Sequence, residues 1–139
     1  MDKRFWISAV VVFLVSLVLG WVVHGVLLEV EYAKLPNLFR PVADQQGYFP
    51  WMLLANALFA LAFTWIYRKG LEPGRPFLGQ GVRYGIAIAV LMTVPTYLIY
   101  YAVQPLPGSL VAKQIGYDVI AAVILGIVVA WTSRPPRPA

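Results

Sequence analysis

The sequence has no cysteine and a single histidine, His24. The absence of cysteine excludes disulfides, thiolate metal ligands and thiol nucleophiles. With one histidine, serine–histidine chemistry has one candidate base, and no second histidine lies four residues away to complete a metal site. The sequence contains no nucleophile elbow, P-loop or dinucleotide-binding motif. We therefore expect that the protein is not an enzyme and that it holds neither a metal ion nor a cofactor.

Charged side chains are also scarce. They make up 12% of the 139 residues, whereas 60% are hydrophobic and the mean hydropathy is +0.74. A water-soluble domain has about twice that share of charged residues. The net charge of +5 would suit nucleic acid, but no polar segment has a basic patch with interleaved aromatic residues. The composition argues against a nucleic-acid partner and predicts a lipid bilayer as the solvent.

Four long apolar runs predict transmembrane helices at approximately 5–30, 49–67, 82–103 and 110–132. The first run holds 24 residues (5–28) without a formally charged side chain. A helix of that length spans about 36 Å, more than the hydrocarbon core of about 30 Å. Because the run is about twice as long as a signal-peptide core, we expect a retained span. The predicted fold is all-α: a polytopic integral membrane protein with four helices in a bundle, forming a single domain over 1–139.

Lysine and arginine are distributed unequally between the two sides of this bundle. One side has the N-terminus, the loop 68–81 and the tail 133–139, and it carries Lys3, Arg4, Arg68, Lys69, Arg75, Arg83, Arg134 and Arg137. The other side, which includes the outer segment 31–48, carries Lys34, Arg40 and Lys113. Because the cytoplasmic side of a membrane protein carries the excess of basic residues, both termini are predicted to be cytoplasmic, in the cell membrane. The proline-rich tail is expected to be extended and mobile.

Local signals refine the segments around these spans. Leu35, Leu38 and Phe39 recur at helical spacing, which favours a short interfacial helix in the outer segment. Pro95 removes one backbone hydrogen bond from the third span and is expected to kink it. The loop 68–81 is rich in glycine and proline and is expected to be irregular.

Small residues recur at four-residue spacing in every span. In lipid, helices associate through close packing, and small residues let their backbones approach. The residues predicted to pack the helices together are Gly20, Ala60, Gly85, Ala89, Ala122 and Gly126.

Each span also carries one polar residue toward its outer end: His24, Asn56, Tyr97 or Asp118. Counted from the predicted span ends, their depths are similar, at about 9–12 Å, so they form a candidate polar cluster in one layer. A carboxylate inside a span is costly unless it is paired or hydrated, and His24 is the best partner for Asp118 at that depth. Lys113, nearer the interface, is the competing partner unless its side chain extends outward to the surface.

Two interpretations of this layer stay open. Polar contacts between helices often only fix their register. Alternatively, ionisable groups inside a membrane often mark function, and a histidine beside a carboxylate can change charge at physiological pH. Glu29 and Glu31 suit a solvated helix end, with a cation site formed together with Asp44 as the weaker alternative.

The last two spans contain "RYGIAIAVLMTVPTYLIYYAVQPLPGSLVAKQIGYDVIAAVILGIVVAW". The segment resembles the C-terminal half of a family of small bacterial four-helix membrane proteins of unknown function. The resemblance lies in Pro95, Tyr101, Pro105, Leu106, Gly116, Tyr117 and Gly126. It covers about half of the chain and implies a bacterial cytoplasmic-membrane protein. Where this family tends to carry an aromatic pair, the present chain has Val23 and His24.

Two classes of function are compatible with these observations. The first is a structural or accessory membrane component that acts through helix–helix contacts, as a homo-oligomer or within a larger membrane complex. The second is a small transporter, channel or pH-responsive ligand binder that uses the outer polar layer.

Overall fold

A computed structural model describes residues 1–134 of the chain. These residues form helices and no strand. The helices are α1 (Lys3–Leu27), α2 (Glu29–Ala33), α3 (Val42–Lys69), α4 (Phe77–Val103) and α5 (Gly108–Thr132). By length and composition, α1, α3, α4 and α5 can each cross a membrane, with a mean hydropathy between 1.6 and 2.6. The predicted all-α class with four long apolar helices is confirmed.

The helix boundaries differ from the predicted spans in ways that matter for the site. The first long helix ends at Leu27 rather than at 30, and Leu28 (φ −106°, ψ 0°) turns the chain before α2 begins. Helix α3 already begins at Val42, and α4 begins at Phe77 inside the segment predicted as an irregular loop. That loop is therefore reduced to 70–76.

The interfacial helix predicted around Leu35–Phe39 is wrong. The chain forms turns there, and helical structure resumes only at Val42. Pro36 and Pro41 explain the difference, because a proline removes a backbone donor and disfavours helical geometry in the residue before it. The apolar spacing instead reflects burial: Leu35 and Phe39 pack against a small core of Val23, Leu28, Leu106, Leu110 and Val111.

Helices α4 and α5 cross with their backbones almost in contact. A Cβ added to Gly85 would lie 2.5 Å from Val123 Cα, and one added to Gly81 would lie 2.7 Å from Gly126 O. Real atoms do not approach so closely, so the crossing requires glycine at these positions. Gly85, Ala122 and Gly126 thus pack as predicted. Gly81 was not among the predicted packing residues, because the third span was predicted to begin at 82.

Of the other predicted packing residues, two are buried and one makes no close contact. Ala60 and Ala89 are buried, with only 1% and 2% of their surface exposed. Gly20 is not a packing residue, because a Cβ added there would meet no atom within 4 Å. It borders open space between the helices, so this prediction is corrected.

The four long helices form an incomplete ring in the order α3, α1, α5, α4. Helix α1 packs against both α3 and α5, and α4 packs against α5. Tyr84 of α4 closes part of the gap to α3, because its hydroxyl donates to Phe63 O at 2.6 Å and its ring contacts Phe63 and Tyr67. We call the end of the bundle that holds residues 1–4, 70–76 and 133–134 the terminal end, and the end that holds residues 28–41 and 104–107 the distal end.

Contacts between the two ends of the chain hold the terminal end of the bundle together. Ser8 Oγ lies 3.3 Å from Ser133 Oγ, and the guanidinium of Arg4 donates to Arg134 O at 2.8 Å. Ser133 and Arg134 begin the tail that was predicted to be mobile, and both are held in place. Residues 135–139 of that tail lie outside the described part of the chain.

Candidate functional site

His24, Tyr97 and Asp118 meet near the distal end of the bundle. His24 Nε2 lies 3.4 Å from Asp118 Oδ2. The Tyr97 hydroxyl donates a hydrogen bond to the same Oδ2 atom. The three side chains come from α1, α4 and α5, so one carboxylate joins three of the four long helices.

Tyr32 and Gln114 extend this group on the other side of the histidine ring. The Tyr32 hydroxyl lies 2.6 Å from His24 Nδ1, and Gln114 Nε2 donates to that hydroxyl at 3.2 Å. We call His24, Tyr32, Tyr97, Gln114 and Asp118 the histidine cluster. Burial is the main influence on Tyr32 and raises the pKa of its hydroxyl, which therefore keeps its proton.

The hydrogen bonds of the cluster favour one neutral form of His24. Tyr32 accepts from Gln114, so its single proton is available to His24 Nδ1. A ring that accepts at Nδ1 carries its proton at Nε2, the atom that faces Asp118. In neutral His24 the ring thus accepts from Tyr32, and its protonated Nε2 lies 3.4 Å from Asp118 Oδ2.

The same geometry leaves two acceptor atoms available. The Oε1 atom of Gln114 is buried and has no hydrogen-bond partner among residues 1–134. The two contacts of the Asp118 carboxylate both go to Oδ2, so Oδ1 has no donor within this described part of the chain. A buried acceptor without a donor is unfavourable, which applies to Gln114 Oε1. Asp118 Oδ1 belongs to a partly exposed side chain and can accept from a ligand.

A cleft of about 320 Å³ lies between α1, α3, α4 and α5, beside the histidine cluster. Asp118 and Tyr97 contribute to its wall. The remaining lining residues are mostly apolar or aromatic, with several hydroxyls: Ser16, Leu19, Gly20, Phe59, Ile88, Met92, Thr93, Thr96, Tyr100, Ala121, Ala122 and Leu125. The Asp118 side chain is 21% exposed, so its carboxylate is accessible while it also holds its two partners.

Wide π-helical turns occur in both α1 and α4 next to this cleft. They cover Trp21–Leu27 and Ala89–Thr93. His24 lies in the first stretch, and Thr93 at the end of the second lines the cleft. Pro95 lies two residues beyond Thr93 and lacks the backbone donor of a regular helix, so the wide turn of α4 lies directly before the position at which a kink is predicted. Such turns are frequent at functional sites.

Asn56 does not join the histidine cluster, in contrast to the prediction. Its Oδ1 accepts from Ser16 Oγ at 3.0 Å, and its Nδ2 donates to Met52 O at 2.8 Å. Ser16 lies eight residues before His24, or about 12 Å along a helix. Depths counted from the predicted span ends failed here because α1 ends at Leu27 and α3 begins at Val42.

Lys113 makes its contact outside the cluster. Its ammonium lies 2.6 Å from Glu31 Oε1, and Lys34 lies 3.2 Å from Glu31 Oε2. The hydrogen bond from Lys113, followed by that from Lys34, holds the pKa of Glu31 below its usual range. Lys113 therefore does not compete with His24 for Asp118. Its contact with Glu31 agrees with the prediction that its side chain extends outward.

The acidic residues at the distal end do not gather into a cation site. Asp44 pairs with Arg40 at 3.4 Å, and Glu31 is held by two lysines. Among residues 1–134, no group of three or more His, Cys, Asp or Glu side chains is arranged to hold a metal ion.

Tyr32 and Gln114 are the site residues that the sequence analysis missed. Gln114 lies one helical turn before Asp118, so its position on the same face of α5 was an available signal. Tyr32 had no comparable signal, because its contact depends on the turn at Leu28 that folds α2 back toward α1. Nearby, Thr96 lines the cleft, and Tyr117 packs against the small core that includes Leu28 and Leu110.

The chain was compared with protein-family models, curated proteins and solved structures, and nothing matches it.

Proposed function

We propose that the chain is an integral protein of the bacterial cytoplasmic membrane, with both termini in the cytoplasm and the distal end facing outward. Four apolar helices of sufficient length support insertion. The excess of lysine and arginine at the terminal end supports the orientation, and the resemblance of the C-terminal half supports the bacterial membrane. In this orientation the histidine cluster lies toward the outer surface.

We propose that the protein is a pH-responsive binder of a small ligand, not an enzyme. One observation carries this proposal: Asp118, shared by His24 and Tyr97, forms part of the wall of the 320 Å³ cleft. That volume lies in the range of small-molecule sites. An ionisable pair inside a span is costly and usually marks function, and a histidine in the pair can change charge near physiological pH.

The cluster offers two arrangements of the hydrogen bonds on the Nδ1 side of the ring, one for each charge state of His24. In the neutral state, Gln114 donates to Tyr32 and Tyr32 donates to Nδ1, while the protonated Nε2 lies 3.4 Å from Asp118 Oδ2. When Nδ1 gains a proton it must donate to Tyr32, whose own proton then needs another acceptor. Gln114 Oε1, which is buried and unpartnered among the described residues, provides it after rotation of the amide. Protonation is thus accommodated by reversing two bonds.

The experiment is nitrogen NMR of the protein labelled with ¹⁵N-histidine and reconstituted in nanodiscs. With one histidine in the sequence, every ring signal belongs to His24. We expect the neutral ring to carry its proton at Nε2 and the charged ring to carry a proton on both nitrogens. The Tyr32→Phe variant loses the donor to Nδ1, so its neutral ring should be a mixture of both forms.

Two results would contradict the proposed arrangement. One is a neutral wild-type ring protonated at Nδ1. The other is an Asp118→Asn variant whose ring signals match those of the wild type at every pH. Thr132→Ala is the control, because this hydroxyl bonds only to backbone carbonyls in its own helix at the terminal end and should leave the His24 spectrum unchanged.

A structural or accessory role is the second candidate, and the incomplete ring of helices favours it. Helix α3 packs mainly against α1, and its gap to α4 is bridged by the side chain of Tyr84. A helix from a second copy or from a larger membrane complex would complete such a ring. Native mass spectrometry from lipid nanodiscs tests this candidate: a strictly monomeric protein at all concentrations argues against the homo-oligomer.

A further inference from the structure

We propose that the ligand of the cleft is a protonated organic amine. The inference rests on the proposed function, because it names the class of ligand for the same site. It depends on three features of the cleft: the sign of its charge, a free carboxylate oxygen and the aromatic character of its walls.

The charge of the cleft is negative. Of the residues that line it, Asp118 is the only one with an ionisable acidic or basic side chain apart from the tyrosines. In a low-dielectric setting one carboxylate dominates the local potential and strongly favours a cation over an anion of the same shape. His24 offsets this charge only when its ring is protonated.

The free oxygen of Asp118 suits an N–H donor. Tyr97 and His24 both use Oδ2, which leaves Oδ1 without a donor from the described chain. An ammonium group supplies a charge-assisted hydrogen bond to a carboxylate, roughly twice as strong as a neutral one. A quaternary ammonium cannot donate this bond, so the geometry favours a primary, secondary or tertiary amine.

The walls of the cleft suit the organic part of such a ligand. Phe59, Tyr97 and Tyr100 bring three aromatic rings to it, and Met92 and Leu125 add apolar surface. Ring faces attract cations, more strongly when water is excluded. A bare metal ion would gain little from these walls, whereas an amine with an alkyl or aromatic body would bury that body against them.

Protons should compete with this ligand. The titratable groups facing His24 are Tyr32 from α2 and Asp118 from α5, with Tyr97 from α4 bonded to the same carboxylate. A proton on His24 places a positive charge 3.4 Å from Asp118 Oδ2 and opposes a second cation there. A proton on His24 should therefore weaken the binding of the amine.

The experiment is isothermal titration calorimetry on the full chain in nanodiscs, with 2-phenylethylammonium as the probe. Phenylacetate and 2-phenylethanol are the anionic and neutral probes of similar shape. We expect measurable binding of the ammonium alone, weakened about tenfold or more by Asp118→Asn. Between about pH 8 and about pH 5 the amine itself stays protonated. Over that range its wild-type affinity should fall, whereas that of His24→Gln should stay nearly constant.

The matched control is Glu31→Gln, which removes a carboxylate at the same end of the bundle but outside the cleft and should leave the affinity unchanged. Equal binding of all three probes, or unchanged ammonium binding by Asp118→Asn, overturns the inference and indicates nonspecific partition into lipid. Absence of ammonium binding also overturns it. The NMR spectra of His24 distinguish failure of this inference from failure of the proposed function. If the ring signals change in Asp118→Asn but the protein binds no amine, only the amine inference fails and the proposed pH response stands.

Discussion

At the residue scale, Asp118 connects three helices through one oxygen atom. The Asp118→Asn substitution preserves the shape of the side chain but removes its charge, and with it the charge-assisted bond from Tyr97 and the electrostatic contact with His24. Polar contacts between membrane helices are individually modest, so we expect the free energy of unfolding to fall by about 0.5–2 kcal/mol. Unfolding in mixed micelles at increasing SDS, at about pH 7, measures this change.

Glu31→Gln is the comparison for this prediction. It removes two ion pairs, with Lys113 and with Lys34, that lie at the exposed rim of the distal end. Pairs in contact with water contribute little, so the stability of this variant should match that of the wild type. If Asp118→Asn were as stable as Glu31→Gln, the Asp118 contacts would contribute nothing measurable to holding the helices together.

The partner of Asp118 was predictable from the sequence, whereas the partners of His24 were only partly so. The cost of a carboxylate in an apolar span demands a partner, and His24 is the one histidine available. The contact between Tyr32 and His24 could not be predicted, because it depends on the turn at Leu28. The sequence has no glycine or proline there to indicate a turn. Asn56 was misplaced because an error of a few residues in a span end moves a side chain by a full helical turn or more.

At the element scale, the close crossing of α4 and α5 depends on glycines, which have no Cβ. Gly85→Ala would place a methyl group 2.5 Å from Val123 Cα, so the helices must move apart. Overpacking of this kind costs about 1–3 kcal/mol. We expect the apparent Tm of this variant to fall, measured by thermal unfolding in detergent.

Gly20→Ala is the matched control for the crossing, because its added Cβ meets no atom within 4 Å. Both positions are helical glycines, so both variants gain the same intrinsic helix propensity, about 1 kcal/mol per residue. The control should therefore be neutral or slightly more stable. Equal loss of stability in both variants would contradict the assignment of Gly85 as a close-contact position.

The long helices were predictable because their signal is large: about twenty apolar residues leave no other stable arrangement in lipid. The π-helical turns of α1 and α4 were not. A π turn shifts the hydrogen-bond register by one residue and leaves composition and hydropathy unchanged. Pro95 marks a disturbance in α4, but α1 carries no proline near Trp21–Leu27. The feature that positions His24 was therefore invisible in the sequence.

At the scale of the whole molecule, the two ends of the bundle differ in the contacts that hold the helices together. At the terminal end, Arg68 bonds Asp2 through both carboxylate oxygens, Arg4 donates to Arg134 O, and Ser8 meets Ser133. The Arg68 guanidinium, with help from the Phe5 amide, holds the pKa of Asp2 well below its usual range. The distal end has the cleft and a cluster whose bonds can reverse. This asymmetry suits the proposed binder, because the cleft and the cluster lie away from the tightly bonded terminal end.

That orientation can be measured directly because the chain has no cysteine of its own. Asn37 and Pro73 are exposed residues at the distal and terminal ends, and neither side chain contributes to a hydrogen bond or ion pair in the described structure. Asn37→Cys and Pro73→Cys therefore provide one reporter for each side of the membrane. In intact bacterial cells, a membrane-impermeant maleimide should modify Asn37→Cys and spare Pro73→Cys. Permeabilised cells should label both, which shows that each cysteine is reactive. The reverse pattern in intact cells would invert the bundle, place the histidine cluster toward the cytoplasm and remove exposure to external pH as the stimulus for His24.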